Sequence, residues 1–317
     1  MPDSKLPFDL TKRRSWRSLW ESAVKCALFC CAGVSILTTL GIMLVLFNEC
    51  VYNVTGGEAF FQQFPIWKFL TGTSTDYKSP NFGVLPLLLS TLMVAGIAAV
   101  VSLPVGLASA VYLSEYASER TRAIIKPSLE ILAGIPTIVY GFFALKFITP
   151  YVLQPLFGLI GVRVETFNGL SAGLVVGIMI VPMVASLSED AIRAVPKSLR
   201  EAGYALGANR FDVSLKIVVP AAFSGIVAAF ILAISRAIGE TMAVAIAGGS
   251  KADMSMNPLK SVMSMTAYIV NVRSGEAPVG TFPYQSLYGV AMSLFLITLT
   301  MNILSQWIMR RFREEYQ

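Results

Sequence analysis

Histidine is absent from the 317 residues. This excludes the commonest metal ligand, the usual general base and any imidazole proton relay. Charge is scarce as well: 14% of the residues are charged, where soluble domains average roughly 25%. No G-x-x-x-x-G-K-S/T phosphate loop occurs, so the chain does not hydrolyse ATP by that route. Cysteine is limited to Cys26, Cys30, Cys31 and Cys50. Three of them fall in or at the edge of the first apolar run and none has metal-ligand spacing, so they read as small apolar residues and not as a disulfide framework. No histidine-based catalytic set is available, and no serine or cysteine stands beside a base. A membrane enzyme is disfavoured, and a transport path or a scaffold is favoured.

What is abundant is apolar sequence. Hydrophobic residues make up 55% of the chain, and the mean hydropathy is +0.66. These figures exclude a disordered, fibrous or ordinary soluble protein. A hydrocarbon core of about 30 Å takes about 20 apolar helical residues. Six segments meet that requirement, at about 26–47, 84–113, 128–146, 166–188, 218–246 and 284–309. The expected fold class is therefore an all-α membrane protein with six transmembrane helices. The first span has a basic flank like a signal peptide, but it is too long and lacks an A-x-A site, so it reads as a signal anchor. Pro127 and Pro136 give the third span an interfacial start and a kink. Gly173 and Gly177 form a small-xxx-small pair that permits close helix packing.

The basic residues orient the chain. Seventeen fall in the N-terminal segment 1–25, the even-numbered loops and the tail 310–317, against seven in the odd-numbered loops. That excess places both termini in the cytoplasm. It also accounts for the net charge of +6 with no nucleic-acid partner. The external segment 48–83 gathers Phe60, Phe61, Phe64, Ile66, Trp67, Phe69 and Leu70. Two arrangements fit that cluster: an interfacial helix lying in the headgroups, or a cover over the outer mouth.

Two places stand out. The polar insertion 189–217 holds strong helix formers after Pro196 and a helix stop at Gly207. Ala202, Ala205 and Leu206 give it a small apolar face able to enter a groove on a partner. The second place is Arg236 and Glu240, four apart in the fifth span and thus expected on one helical face. Each central charge costs about 2.5–3.5 kcal/mol on insertion scales. Counted from Pro220 along a straight helix, Arg236 lies about 24 Å up and Glu240 about 30 Å. A guanidinium is a fitting oxyanion ligand, with donors in a fixed fork. Glu240 is then expected to hold it and balance its charge while the site is empty. The alternative is an ion pair that only fixes bundle geometry.

The insertion resembles the EAA loop of ABC importer permeases, carried by Glu201, Ala202, Gly207, Ile217 and Pro220. Gly203 replaces the second alanine, which is expected to loosen the helix by up to about 1 kcal/mol, and Val219 replaces the usual leucine. The run Arg236-Ala237-Ile238-Gly239-Glu240-Thr241-Met242-Ala243-Val244 resembles the R-A-(L/I)-G-E-T-M-A-V signature of the PstC-type permeases of phosphate importers. Phe82 to Leu87, Gly134 to Gly141 and Val195 to Ala208 are similar to the same family, and the likeness covers about 81–249 well and the ends loosely. It implies a type I ABC importer permease fold and a path for inorganic phosphate past Arg236, Glu240 and Thr241. It implies a coupling helix in which Glu201, Ala202, Ala205 and Leu206 meet an ATPase subunit and Gly207 forms the turn. The partners implied are a PstA-like second permease, two PstB-like ATP-binding subunits, a periplasmic PstS-like phosphate-binding protein, the lipid bilayer and phosphate-signalling proteins. No metal or cofactor is expected on this chain, ATP and Mg being used by the partner ATPase. The rival readings are a permease for molybdate or sulfate, the sister PstA-type subunit, a non-transporting sensor scaffold, and a secondary transporter that would leave the EAA segment unexplained.

Overall fold

A computed structural model of the chain describes residues 16–52, 59–76, 81–252, 254–275, 277–278 and 280–311. Lys5, Lys12, Arg13, Arg14, Lys78 and Arg313 lie outside the described residues. The described residues are helical with no named strand; one isolated bridge joins Ser74 and Phe82. Five helices are long and apolar enough to cross a membrane, and a bent pair makes a sixth.

The described residues open with α1 (Trp16–Phe47), which widens into a π turn at Asn48–Tyr52. Two short helices follow, α2 (Phe60–Gln63) and α3 (Ile66–Thr71), and then α4 (Leu85–Val111), which ends in a π turn at Tyr112–Tyr116. Helix α5 (Glu119–Ala133) begins where the Ser118 hydroxyl accepts the Thr121 N–H at 3.1 Å. Helix α6 (Thr137–Phe143) runs through a ten-residue π stretch, Ala144–Leu153, into α7 (Gln154–Gly158). The expected third span at 128–146 is corrected here. A break at Gly134–Pro136 separates α5 from a membrane-length helix at Thr137–Gly158. Pro136 stops the first helix and starts the second, because the residue before a proline is pushed out of the helical region.

Helix α8 (Gly169–Arg193) is capped by Asn168, whose side-chain Oδ1 accepts the Ser171 N–H at 2.7 Å. After it come α9 (Lys197–Ala205), α10 (Arg210–Asp212), a π turn at Val213–Val218, α11 (Val219–Ala221) and α12 (Phe223–Ile238). The axes of 210–221 and 223–238 meet at 71°, so the fifth span is not the straight rod from Pro220 assumed for the 24 and 30 Å heights. Helix α12 stops at Ile238, and α13 (Met242–Gly248) starts after the break. The chain closes with α14 (Met265–Ser274) and α15 (Phe282–Arg311).

The core is a slab of α4, α8, α12 and α13 built mostly from Ala and Val, among them Ala98, Ala172, Val176, Val184, Ala233 and Ala247. The glycine pair faces α4: a Cβ at Gly173 would sit 2.6 Å from the Ile97 Cβ, and one at Gly177 would sit 3.0 Å from the Ala98 carbonyl oxygen. Those two positions let the backbones approach and bury a continuous small-residue seam. By contrast α1 is unburied along its apolar window, with Leu28, Phe29 and Leu37 exposed.

The aromatic segment forms a small second core. Phe60, Phe69 and Phe82 are buried and pack with Phe64, Tyr268 and Phe282. Ile66, Trp67 and Leu70 point outward. The phenylalanines thus bind the segment to α14 and α15, and Ile66, Trp67 and Leu70 are left on the surface.

Candidate functional site

The break between α12 and α13 is a bolted structure. The Gly239 N–H donates to the Ser235 carbonyl at 3.2 Å and the Glu240 N–H to the Ala237 carbonyl at 3.2 Å, which closes α12. The Glu240 carbonyl accepts the Thr266 hydroxyl at 2.7 Å, and the Met265 N–H donates to the Thr91 hydroxyl at 2.9 Å. The break is therefore tied to α14 and, through it, to α4. Ser235 donates to the Asn302 side chain at 3.3 Å, which ties the end of α12 to α15.

This geometry separates the two expected partners. Glu240 is 7% exposed, and its carboxylate accepts the Ala243 N–H at 3.4 Å, capping α13. Arg236 is exposed and has no hydrogen-bond or ion-pair partner among the described residues. The expectation that the two share one helical face, with Glu240 holding the guanidinium, is corrected. The i,i+4 rule needs an unbroken helix, and the helix ends at Ile238. Thr241 stands in the break, its hydroxyl donating to the Gly239 carbonyl at 3.2 Å. The result is an exposed guanidinium with no side-chain partner among the described residues, next to the terminus of a capped helix.

The α9 hairpin is the second place. Glu201, Ala202, Ala205, Leu206 and Gly207 are all exposed, and Leu206 is 89% exposed at the tip. Gly207 has φ +81°, a left-handed conformation that glycine adopts without a side-chain penalty. The Ala208 N–H reaches back to the Gly203 carbonyl at 3.2 Å, so the chain turns here as expected. Gly203 itself is buried. A Cβ there would lie 2.6 Å from the Ile217 Cδ1 and 3.0 Å from a Val213 methyl. The substitution that was expected to loosen the helix lets α9 settle on the π turn behind it.

Charge counting missed two buried carboxylates. Glu189, near the end of α8, is fully buried and meets Arg122 at 2.6 Å, Lys126 at 3.5 Å and Arg193 at 3.8 Å. Beside it lies an apolar cavity of about 300 Å³ lined by Leu113, Leu129, Ala133, Pro182 and Leu187. Glu115, in the π turn after α4, is 8% exposed and pairs with Arg200 at 2.9 Å. These arginines and Lys126 were read only as an orientation signal. Arg193 stands one helical turn from Glu189, within an i,i+4 rule, but Lys126, Arg122 and Arg200 lie 63, 67 and 85 residues from their carboxylates, beyond the reach of any spacing rule; the other available signal was a carboxylate at the end of each long apolar run.

Residues 102–314 match the family described as binding-protein-dependent transport system inner membrane component. The chain belongs to that family. A probable ABC transporter permease, YqgH of Bacillus subtilis, is 31% identical over 308 residues, 95% of each chain. A phosphate transport system permease protein PstC of Haemophilus influenzae is 30% identical over 324 residues, covering 96% of this chain and 98% of its own. The PstC of Mesorhizobium japonicum is 30% identical over 259 residues, 77% of this chain and 79% of its own. Among solved structures, a bacterial alginate ABC transporter in complex with an alginate-bound periplasmic protein aligns at TM-score 0.63 over 95% of this chain and 99% of that one, at 14% identity. An inward-facing methionine transporter, MetNI, aligns at TM-score 0.53 over 73% and 94%, at 18% identity. The fold is that of a type I ABC importer permease, and the chain is a membrane permease of that class. Family membership implies an ATPase and a substrate-binding protein as its partners.

Proposed function

We propose that this permease imports inorganic phosphate across a bacterial cytoplasmic membrane, forming the translocation path together with a second, PstA-like permease. Two PstB-like subunits supply ATP hydrolysis and use the Mg, and a periplasmic PstS-like protein delivers the anion. This chain binds no cofactor. The observation that carries the reading is the Arg236 guanidinium, exposed at a helix break with no carboxylate on it, within the run 236–244 that resembles the PstC signature. Relatives named for phosphate transport cover nearly the whole chain.

The chemistry follows from the geometry. An anion leaving water must find donors in a place of low dielectric, and a planar guanidinium offers two parallel bonds to a tetrahedral oxyanion. Because the Glu240 carboxylate accepts the Ala243 N–H of α13 and forms no ion pair with Arg236, no internal carboxylate has to be displaced first. Affinity must stay low enough for release. Energy enters through the α9 hairpin, where Glu201, Ala202, Ala205 and Leu206 meet the ATPase and Gly207 sets the turn. ATP drives the cycle by binding the two conformations with different affinity.

The test is ATP-dependent uptake of labelled phosphate into vesicles that hold all four partner types. Uptake should depend on Arg236 and should resist competition by molybdate or sulfate. A guanidinium fork alone does not discriminate among tetrahedral oxyanions, so competition by either at equal concentration would shift the reading to a different oxyanion. Uptake unchanged by Arg236→Gln would overturn the anion path.

A further inference from the structure

A carboxylate at the end of α4 and a guanidinium on α9 are joined across 85 residues of chain. Arg200 Nε donates to the Glu115 Oε1 at 3.2 Å, and Nη2 donates to the same oxygen at 2.9 Å. The same guanidinium donates to the Val195 carbonyl at 2.5 Å and to the Ile192 carbonyl at 2.9 Å. These carbonyls belong to the end of α8 and the turn after it, where helical partners run out. Arg210 completes the joint. It donates to the Glu115 backbone carbonyl, and its guanidinium carbon lies 5.0 Å from the Tyr116 ring centroid. One arginine on α9 thus grips the ends of both α4 and α8, and a second, at the start of α10, grips the turn beside them.

Such a joint is stiff. Charge-assisted bonds in a partly desolvated setting are short, directional and mutually reinforcing. Behind it lies the glycine-faced α4–α8 seam, and α12, which carries Arg236, packs on both helices. A displacement of α9 therefore moves the slab as a body, where a hairpin tethered only through its backbone would flex. The Glu189 cluster makes a contrast within the same region. It holds α5 against α8 and has no contact with the α9 hairpin among its ion pairs.

We infer that Glu115 is a positioning residue through which the α9 hairpin drives α4 and α8, and that it sets how much transport each hydrolysed ATP yields. The inference rests on the reading of α9 as the ATPase-docking helix. It is tested in the reconstituted complex with all partners. Phosphate accumulated per ATP hydrolysed is measured for the native chain, Glu115→Gln, Glu115→Asp, Arg200→Lys and Glu189→Gln, each normalised to assembled complex. Stimulation of ATP hydrolysis by the binding protein is followed in parallel, since it does not depend on the substrate being phosphate. A cysteine at position 201 reports docking by crosslinking to the ATPase.

Glu115→Gln should lower the transport-to-hydrolysis ratio and the stimulation by about tenfold, within the usual range of coupling between sites, with the crosslink retained. Glu115→Asp, which keeps the charge, should recover most of both, and Arg200→Lys should fall between. Glu189→Gln should leave the ratio at the native value even where less complex assembles. A native ratio and native stimulation in Glu115→Gln would overturn the inference, as would an equal loss in Glu189→Gln. Should Glu115→Gln fail to assemble, a native ratio in Arg200→Lys would overturn it instead. Absence of the crosslink in Glu201→Cys with no other change would overturn the docking reading, whereas absent uptake with intact stimulation would overturn only the phosphate reading.

Discussion

Two regions of this permease handle positive charge in opposite ways. Around the α9 hairpin, Arg122, Lys126 and Arg193 converge on Glu189, and Arg200 is committed to Glu115. At the break after α12, Arg236 stands four residues from Glu240 and yet has no partner among the described residues, because Glu240 has turned to cap α13. Nearness in sequence thus decides little about pairing; the course of the backbone decides it. A cation already bonded to a buried carboxylate adds stiffness and has nothing left for a ligand. A cation left without a partner keeps its full electrostatic capacity for an incoming anion.

The largest effect expected from this contrast is on transport. Arg236→Gln should cut ATP-dependent phosphate uptake by about a hundredfold, the scale of losing charged hydrogen bonds, and Arg236→Lys should retain part of it. Little loss would remove the distinction between the regions, since an unpaired cation would then do no more than the paired ones. Next comes Glu189→Ala, expected to cost about 3 kcal/mol by stranding charges packed against one buried carboxylate. Unfolding of the purified permease in detergent reads this directly, and a change near zero would mean that the cluster is solvated in practice. Gly173→Leu should cost about 1–3 kcal/mol in the same assay by forcing the α4–α8 seam apart; an unchanged midpoint would show that the seam has slack.

Smaller effects sharpen the picture. Glu240→Gln keeps an acceptor for the Ala243 N–H, so stability should shift by less than about 1 kcal/mol. A loss as large as that of Glu189→Ala would mean that Glu240 is holding a charge after all. Gly203→Ala should be the mildest, within about 1 kcal/mol. Helix propensity gained by the added methyl offsets its push against the movable Ile217 tip and the buried Val213 methyl, and the sign of the shift in unfolding midpoint tells which term is larger.

Much of the architecture was legible in the sequence because hydropathy and charge placement are additive along the chain. The count of membrane-length helices, the hairpin with its turn at Gly207, and the glycine seam all follow from local composition. The parts that were not legible depend on where a helix stops. Hydropathy joined 218–246 as one span; its excess length and Gly239 hinted at the break found there, but the bend at Ala222 had no such signal. Likewise the charge of Glu130 and the apolar run after Ile131 placed the third span at 128–146, while Pro136 fixed the start of the helix at Thr137. Glu115 and Glu189 were invisible for another reason. Apart from Arg193, which shares α8 with Glu189, their partners come from other elements, and only the folded bundle brings them together.

The wide turns that close several helices carry a further consequence. After Tyr112, Thr149 and Ser214, the capping N–H bonds span five residues: Ala117, Gln154 and Val219 each reach back five positions. Each wide turn stores one residue more than an ordinary helical turn would hold, a rotation of about 100° about the axis. These turns behave as indexing steps on a shaft, setting the angle at which the next stretch is presented. Removing one residue between Tyr112 and Glu115 would leave a regular helix and swing the Glu115 carboxylate to another side of α4, away from Arg200. In this permease, angular phase along a helix is as much a specified quantity as length.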